Sequence, residues 1–87
     1  MKFVDTAVNK PKRYSIGREI ESGRCYLSIP VSNSMADYEE FYEIGAELHN
    51  GYPGSELVLS AFADECRRGL HDQLLFLRPG SDRGVAT

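Results

Sequence analysis

The sequence predicts a small α+β domain, in which a three-stranded antiparallel meander packs against one main helix and a short final strand follows. Apolar and polar residues alternate in closely spaced segments between residues 13 and 44, a pattern typical of successive strands. Residues 55–68 instead show helical spacing. The chain has 87 residues, which suits one domain and excludes a second.

The chain divides into an arm, a core and a tail. Residues 1–12 are polar, contain Pro11 and show no sustained period, so they are predicted to form an arm or an edge strand. Residues 13–80 are predicted to form the single α+β domain, and residues 81–87 a polar tail. A domain of this size is only marginally stable, so it would gain from a partner subunit.

The first two strands of the meander are predicted from their alternation and from the turn between them. Residues 13–21 have the period of a half-buried strand. Gly23 then supplies the positive φ that a hairpin connection favours. In the next strand, Pro30 has no N–H, so either its nitrogen faces away from a neighbouring strand or the strand is bulged. That strand spans residues 25–32 and directs four side chains inward: Cys25, Leu27, Ile29 and Val31.

An acidic-aromatic block, residues 37–44, fits either a helix or a third strand. As a helix, it would begin at Asp37 with a capping box and place all its aromatic rings on one face. We favour the strand, because aromatic residues suit strands and a third meander strand is natural here. The strand would have one row of Tyr38, Glu40, Tyr42 and Ile44 and a second row of Asp37, Glu39, Phe41 and Glu43.

Helical segments and a final strand are predicted after the block. Residues 46–50 suit a single helical turn closed by Gly51. The main helix is predicted to start after Ser55 as N-cap, to run for about fourteen residues, and to end at Gly69. The apolar residues 74–77, stopped by Pro79, are predicted to form a short buried strand.

Charge is unevenly distributed along the sequence. The net charge is −3, and residues 25–65 contain eight acidic residues and no Lys or Arg. A nucleic-acid ligand would need a basic surface, which only residues 10–13 offer, so we do not expect one. Clustered carboxylates and aromatic rings instead favour a protein partner with a basic surface. The predicted contact residues are Asp37, Tyr38, Glu39, Glu40, Phe41, Tyr42 and Glu43, with a second group at Arg78, Ser81 and Arg83 for an anion or the partner.

No catalytic, metal or cofactor site is predicted. Cys66, His71 and Asp72 are close in sequence, but Cys66 lies on the apolar stripe of the helix. The cysteines and histidines lack the paired spacing of a zinc site. The first residues resemble no signal peptide and no apolar run approaches the length of a membrane span, so we expect a cytoplasmic protein with reduced cysteines.

Residues 14–23, 26–33, 37–44 and 74–84 together resemble a family of small bacterial proteins of uncharacterised function. In general type, the chain is similar to immunity proteins that neutralise antibacterial toxin domains. This similarity implies a non-enzymatic protein that blocks a cognate toxin through its acidic-aromatic surface. The alternative is a regulatory or scaffold protein that self-associates through a sheet edge, and a small-ligand-binding protein or enzyme is less favoured.

Overall fold

A computed structural model describes residues 1–87 and shows an α+β fold built on a four-stranded antiparallel meander. None of its helices is long and apolar enough to cross a membrane. The strands lie side by side in chain order: β1 (Phe3–Asn9), β2 (Tyr14–Glu19), β3 (Cys25–Ser32) and β4 (Asp37–Ile44). The remaining elements are α1 (Ala46–Asn50), α2 (Glu56–Arg67), a short 3-10 helix (Asp72–Leu74) and β5 (Val85–Ala86).

The meander has four strands, whereas the sequence predicted three. The additional strand, β1, lies within residues 1–12, where an arm or an edge strand was predicted. Its alternation is obscured because most of its side chains are exposed and because the register shifts between Asp5 and Ala7. An edge strand with a bulge does not need the regular apolar row on which the sequence prediction depends.

The predicted final strand at residues 74–77 was wrong. Leu74 ends the 3-10 helix, and Leu75 forms only an isolated bridge with Tyr42 before the chain leaves the sheet. Both leucines pack against the core from this position, which accounts for the apolar run without a strand. The final strand is β5, which pairs with Val31 and Ser32 at the end of β3 and lies in the predicted tail.

Several local predictions are confirmed. The bounds of β3 and β4 agree with the structure, and Gly23 has φ of 74° in the turn before β3. Gly69, with φ of 75°, follows α2 in a Schellman motif, because the Leu70 N–H donates to the Glu65 carbonyl at 3.1 Å. The prediction that Ser55 caps α2 is wrong for its side chain: Ser55 stands at the N-cap position, but its hydroxyl donates to the Leu48 carbonyl at 2.7 Å.

Pro30 fits the sheet because its missing N–H faces no strand partner. It lies opposite Glu39 of β4, while its other side faces the gap between the end of β2 and β5. In that gap the Pro30 carbonyl accepts the Thr87 N–H at 3.2 Å. The first of the two alternatives for Pro30 is therefore the one that the structure adopts.

The main core lies between the sheet and α2. The four inward residues predicted for β3 are all buried, and α2 covers them with Leu59, Ala63 and Cys66. Tyr42 and Ile44 of β4 join the same cluster. One face of the acidic-aromatic block is thus part of the core that holds the domain together.

The other face of the sheet carries an aromatic cluster that forms because the sheet curls. Phe3 of β1 stacks on Phe41 of β4 with ring centroids 3.8 Å apart, although these strands would be about 14 Å apart in a flat sheet. Tyr26 is fully buried beneath the two rings and donates its hydroxyl hydrogen to Asp5. Phe76 completes the cluster, and β2 is consequently buried on both faces.

Glu19 at the end of β2 is an internal carboxylate whose hydrogen bonds favour its charged form. It is only 1% exposed, and the backbone N–H groups of Lys2, Glu21 and Ser22 donate to it at 2.8–3.0 Å. These hydrogen bonds, led by that from Lys2, lower its pKa from 4.5 to about 2. The unfolded chain binds this proton more readily than the folded protein does. Glu19 therefore contributes to the free energy of unfolding above pH 4.5, and this contribution is lost as the pH falls toward 2.

Glu19→Gln is expected to remove this component of the pH dependence. Urea unfolding from pH 7 to pH 2 should show a smaller fall in the free energy of unfolding for the variant below pH 4.5 than for the wild type. Glu47→Gln, at an exposed position of α1, is the matched control and should keep the wild-type profile. Equal profiles for wild type and Glu19→Gln in this pH range would contradict the prediction.

Candidate functional site

The acidic-aromatic block forms the whole of β4, and its two rows have different surroundings. The row facing α2 contains Tyr42, which is fully buried, and Glu40, which is 8% exposed. Tyr38 in the same row is half-buried, and its hydroxyl accepts the Gly84 N–H at 2.7 Å. The expectation that the entire block contacts a partner is therefore too broad, because Glu40 and Tyr42 are enclosed by the chain itself.

Arg83 binds the buried Glu40 and links it to the C-terminal segment. Its guanidinium donates to both Glu40 carboxylate oxygens at 2.7 and 2.9 Å and to both Asp72 oxygens at 2.8 and 3.0 Å. The Tyr42 hydroxyl donates to Glu40 at 2.8 Å. The hydrogen bonds from Arg83 lower the pKa of Asp72, and both carboxylates raise the pKa of Arg83. Arg83 was predicted to contact an anion or a partner, and the structure shows it occupied by these two internal carboxylates.

The opposite row of β4 presents two oriented carboxylates without a cationic partner. The Ser32 hydroxyl donates to Asp37 at 2.7 Å, and the Ser28 hydroxyl donates to Glu39 at 2.9 Å. A neutral donor fixes a carboxylate without cancelling its charge. Both residues are exposed, and we call Asp37 and Glu39 the acidic pair. Glu43 differs, because Arg24 binds its carboxylate at 3.1 Å.

Phe41 lies in the same row and is held rigidly. It is half-buried, stacks on Phe3 and forms a T-shaped pair with the Tyr26 ring, with centroids 5.1 Å apart. A ring held by its neighbours loses little conformational entropy when a partner covers it. Phe41 therefore suits the role of a fixed aromatic anchor beside the acidic pair.

A cleft of about 340 Å³ lies along the outer edge of β4, and we call it the edge cleft. Residues 38–41 of β4 form one wall, and the segment that follows Phe76 forms the other. Arg78 lines this wall as an exposed side chain, whereas Ser81 does not line the cleft. The cleft is lined by Asn33, Tyr38, Glu39, Glu40, Phe41, Leu77, Arg78, Pro79, Gly80 and Asp82.

Sequence reasoning missed the serines that orient the acidic pair and the far wall of the cleft. Period two places Ser28 and Ser32 on one face of β3, so their pairing with carboxylates of β4 follows once the register is known. Leu77 was predicted to end a buried strand and Pro79 to stop it. Their place in the cleft depends on where the chain leaves the sheet, which no local pattern indicated.

The side chains of Cys66, His71 and Asp72 do not form a catalytic group. The Cys66 thiol is 2% exposed, and burial raises its pKa to about 12. His71 lies 2.7 Å from the Glu65 carboxylate, and Asp72 binds Arg83. A protonated, buried thiol is a poor nucleophile. Both cysteines are free, and no three of the His, Cys, Asp and Glu side chains come together as a metal site.

Comparisons of this chain with protein-family models, curated proteins and solved structures find no match. The resemblance to small bacterial proteins and the similarity to immunity proteins therefore stay predictions. Function must be inferred from the contacts and charges of this chain alone.

Proposed function

We propose that this protein is a non-enzymatic protein-binding module that contacts a basic partner through the acidic pair and Phe41. The acidic pair carries the proposal, because Asp37 and Glu39 are exposed, oriented by serine hydroxyls and paired with no cation. Complementary charge accelerates encounter and disfavours wrong partners. A basic patch on a partner would supply the positive charge that the chain itself does not provide at this position.

The most concrete form of the proposal is an immunity protein that blocks a cognate toxin domain. A toxin that acts on an anionic substrate needs a basic cleft, and the acidic pair would occupy the positions of the substrate's negative charges there. Phe41 and the exposed Leu77 lie near the same edge and would exclude water from the contact. Blocking then requires only binding, with no chemical step by this protein.

Self-association through a sheet edge, the alternative expected from the sequence, receives less support. The free edge of β1 contains a bulge at residues 5–7, and the charged Lys2 directly precedes the strand. Bulges and charges at edges are features that prevent pairing between copies. The edge of β4 carries the acidic pair, which would repel the same pair of a second copy.

Charge reversal at Glu39 is expected to slow association with the cognate partner. If the neighbouring gene encodes a toxin, its product should inhibit growth when expressed alone, and co-expression of this protein should restore growth. Glu39→Lys should reduce the association rate roughly tenfold at low ionic strength, with a smaller effect at high salt. Stopped-flow or biosensor kinetics at two salt concentrations would measure this change.

The matched control is Glu47→Lys, which makes the same charge change at an exposed position of α1. It should associate at nearly the wild-type rate, and both variants should unfold at the wild-type temperature. If the product of the neighbouring gene does not inhibit growth, the proposal of an immunity function is wrong. Equal association rates for Glu39→Lys and the wild type would place the interface elsewhere on the protein.

A further inference from the structure

We propose that the partner supplies an extended basic strand that pairs with the outer edge of β4 inside the edge cleft. This inference rests on the proposed function and specifies how the partner is bound. It concerns the backbone of β4, whereas the proposed function concerns the charge of its side chains. The two can therefore be tested separately.

The outer edge of β4 is paired at only one end. On that side the Phe76 N–H donates to the Phe41 carbonyl at 2.9 Å, and Leu75 forms a bridge with Tyr42. In an antiparallel strand the N–H and C=O of one residue point to the same side, and alternate residues point to opposite sides. The backbone N–H and C=O of Phe41 point away from β3, so those of Asp37 and Glu39 do as well. No segment of the chain pairs with the backbone of Asp37 or Glu39 on that side.

The edge cleft has room beside the unpaired backbone groups of Glu39, which lines it. After Phe76 the C-terminal segment turns away from the edge of β4, and its next residues, Leu77, Arg78 and Pro79, form the far wall. Pro79 has no N–H to offer to a strand, and the Leu77 side chain is 60% exposed. An added strand would continue the pairing that Phe76 begins, with Leu77 available for an apolar contact. Strand addition to an exposed edge is an established mode of peptide recognition.

Charge determines which strand fits. Side chains of a strand alternate between faces, so every second side chain of the guest would lie beside the acidic pair, Asp37 and Glu39. Asp82 also lines the cleft, and Arg78 is its only exposed basic residue. A second copy of β4 would bring like charges together, which is unfavourable. A guest with Lys or Arg at alternate positions has the complementary pattern.

Two substitutions at Glu39 separate the backbone contact from the charge. Glu39→Gln removes the charge and keeps the N–H, whereas Glu39→Pro removes both. Since Glu39 lies opposite Pro30 and points away from β3, proline there should leave the β3 ladder intact. The probe is a blocked peptide of about eight residues that alternates lysine and valine, a typical strand length, titrated at low salt and followed by amide chemical shifts.

We expect Glu39→Gln to weaken peptide binding several-fold and Glu39→Pro to weaken it about tenfold further. In the wild type, the peptide should also slow hydrogen exchange of the Glu39 amide, a readout that does not depend on the folding of any variant. Equal affinity of the Gln and Pro variants, or unchanged exchange at Glu39, would overturn strand addition and leave the acidic contact standing. Equal affinity of all three proteins, or no binding at millimolar peptide, would overturn both.

Discussion

Replacing Gly17 with alanine is expected to destabilise the protein by about 3 kcal/mol, at the upper end of the range for overpacked sites. An added Cβ would overlap the Val4 carbonyl oxygen and the end of the Tyr26 ring. Neither neighbour can easily move, because Val4 belongs to β1 and the Tyr26 ring is fully buried with its hydroxyl on Asp5. The variant should therefore loosen β1 and the aromatic cluster on the curled face of the sheet.

Urea unfolding of Gly17→Ala against the wild type would measure the loss. Gly45→Ala is the control, because a Cβ at Gly45 meets nothing within 4 Å and its φ of −67° suits alanine. The control should change the free energy of unfolding by less than about 1 kcal/mol. An equally small effect at Gly17 would show that the sheet can flatten without loss, contrary to the packing described above.

The sequence predicted one face of the sheet much better than the other. The strands β3 and β4 were predicted with their bounds because alternation within each strand is a local property. The burial of Tyr26 depends instead on Phe3 and Phe76, which reach it only because the sheet curls. Curvature arises from the whole sheet and from a bulge in β1, so a period-two pattern does not reveal it.

The candidate site shows the same division between local and distant information. Alternation separated the two rows of β4, and the structure confirms that separation. The alternation could not show that Glu40 is buried and bound by Arg83, because Arg83 lies 43 residues away along the chain. A count of charges identifies an acidic segment. Only the fold shows that Arg83 binds Glu40, whereas Asp37 and Glu39 have no cationic partner.

Arg83→Ala is expected to lower the free energy of unfolding by about 3–4 kcal/mol, as when one member of a buried ion pair is removed. The side chain of Glu40 is 8% exposed and would lose both of its hydrogen bonds from Arg83, leaving only the Tyr42 hydroxyl. Asp72 would lose its partner as well, and the segment that leads into β5 would be linked to β4 only by the Gly84 N–H on the Tyr38 hydroxyl. Arg83→Lys should also be destabilising, because an ammonium cannot bind two carboxylates in bidentate fashion.

The cause of the loss at Arg83 can be isolated with a double substitution. If the unpaired Glu40 charge is responsible, Arg83→Met combined with Glu40→Leu should unfold at a lower urea concentration than the wild type but at a higher one than Arg83→Met alone, because an apolar pair leaves no buried charge. Arg78→Ala, in the exposed wall of the edge cleft, should change stability by less than about 0.5 kcal/mol. Additive effects of the Arg83 and Glu40 substitutions would instead mean that Arg83 acts mainly through Asp72, whose carboxylate is 43% exposed and easily hydrated.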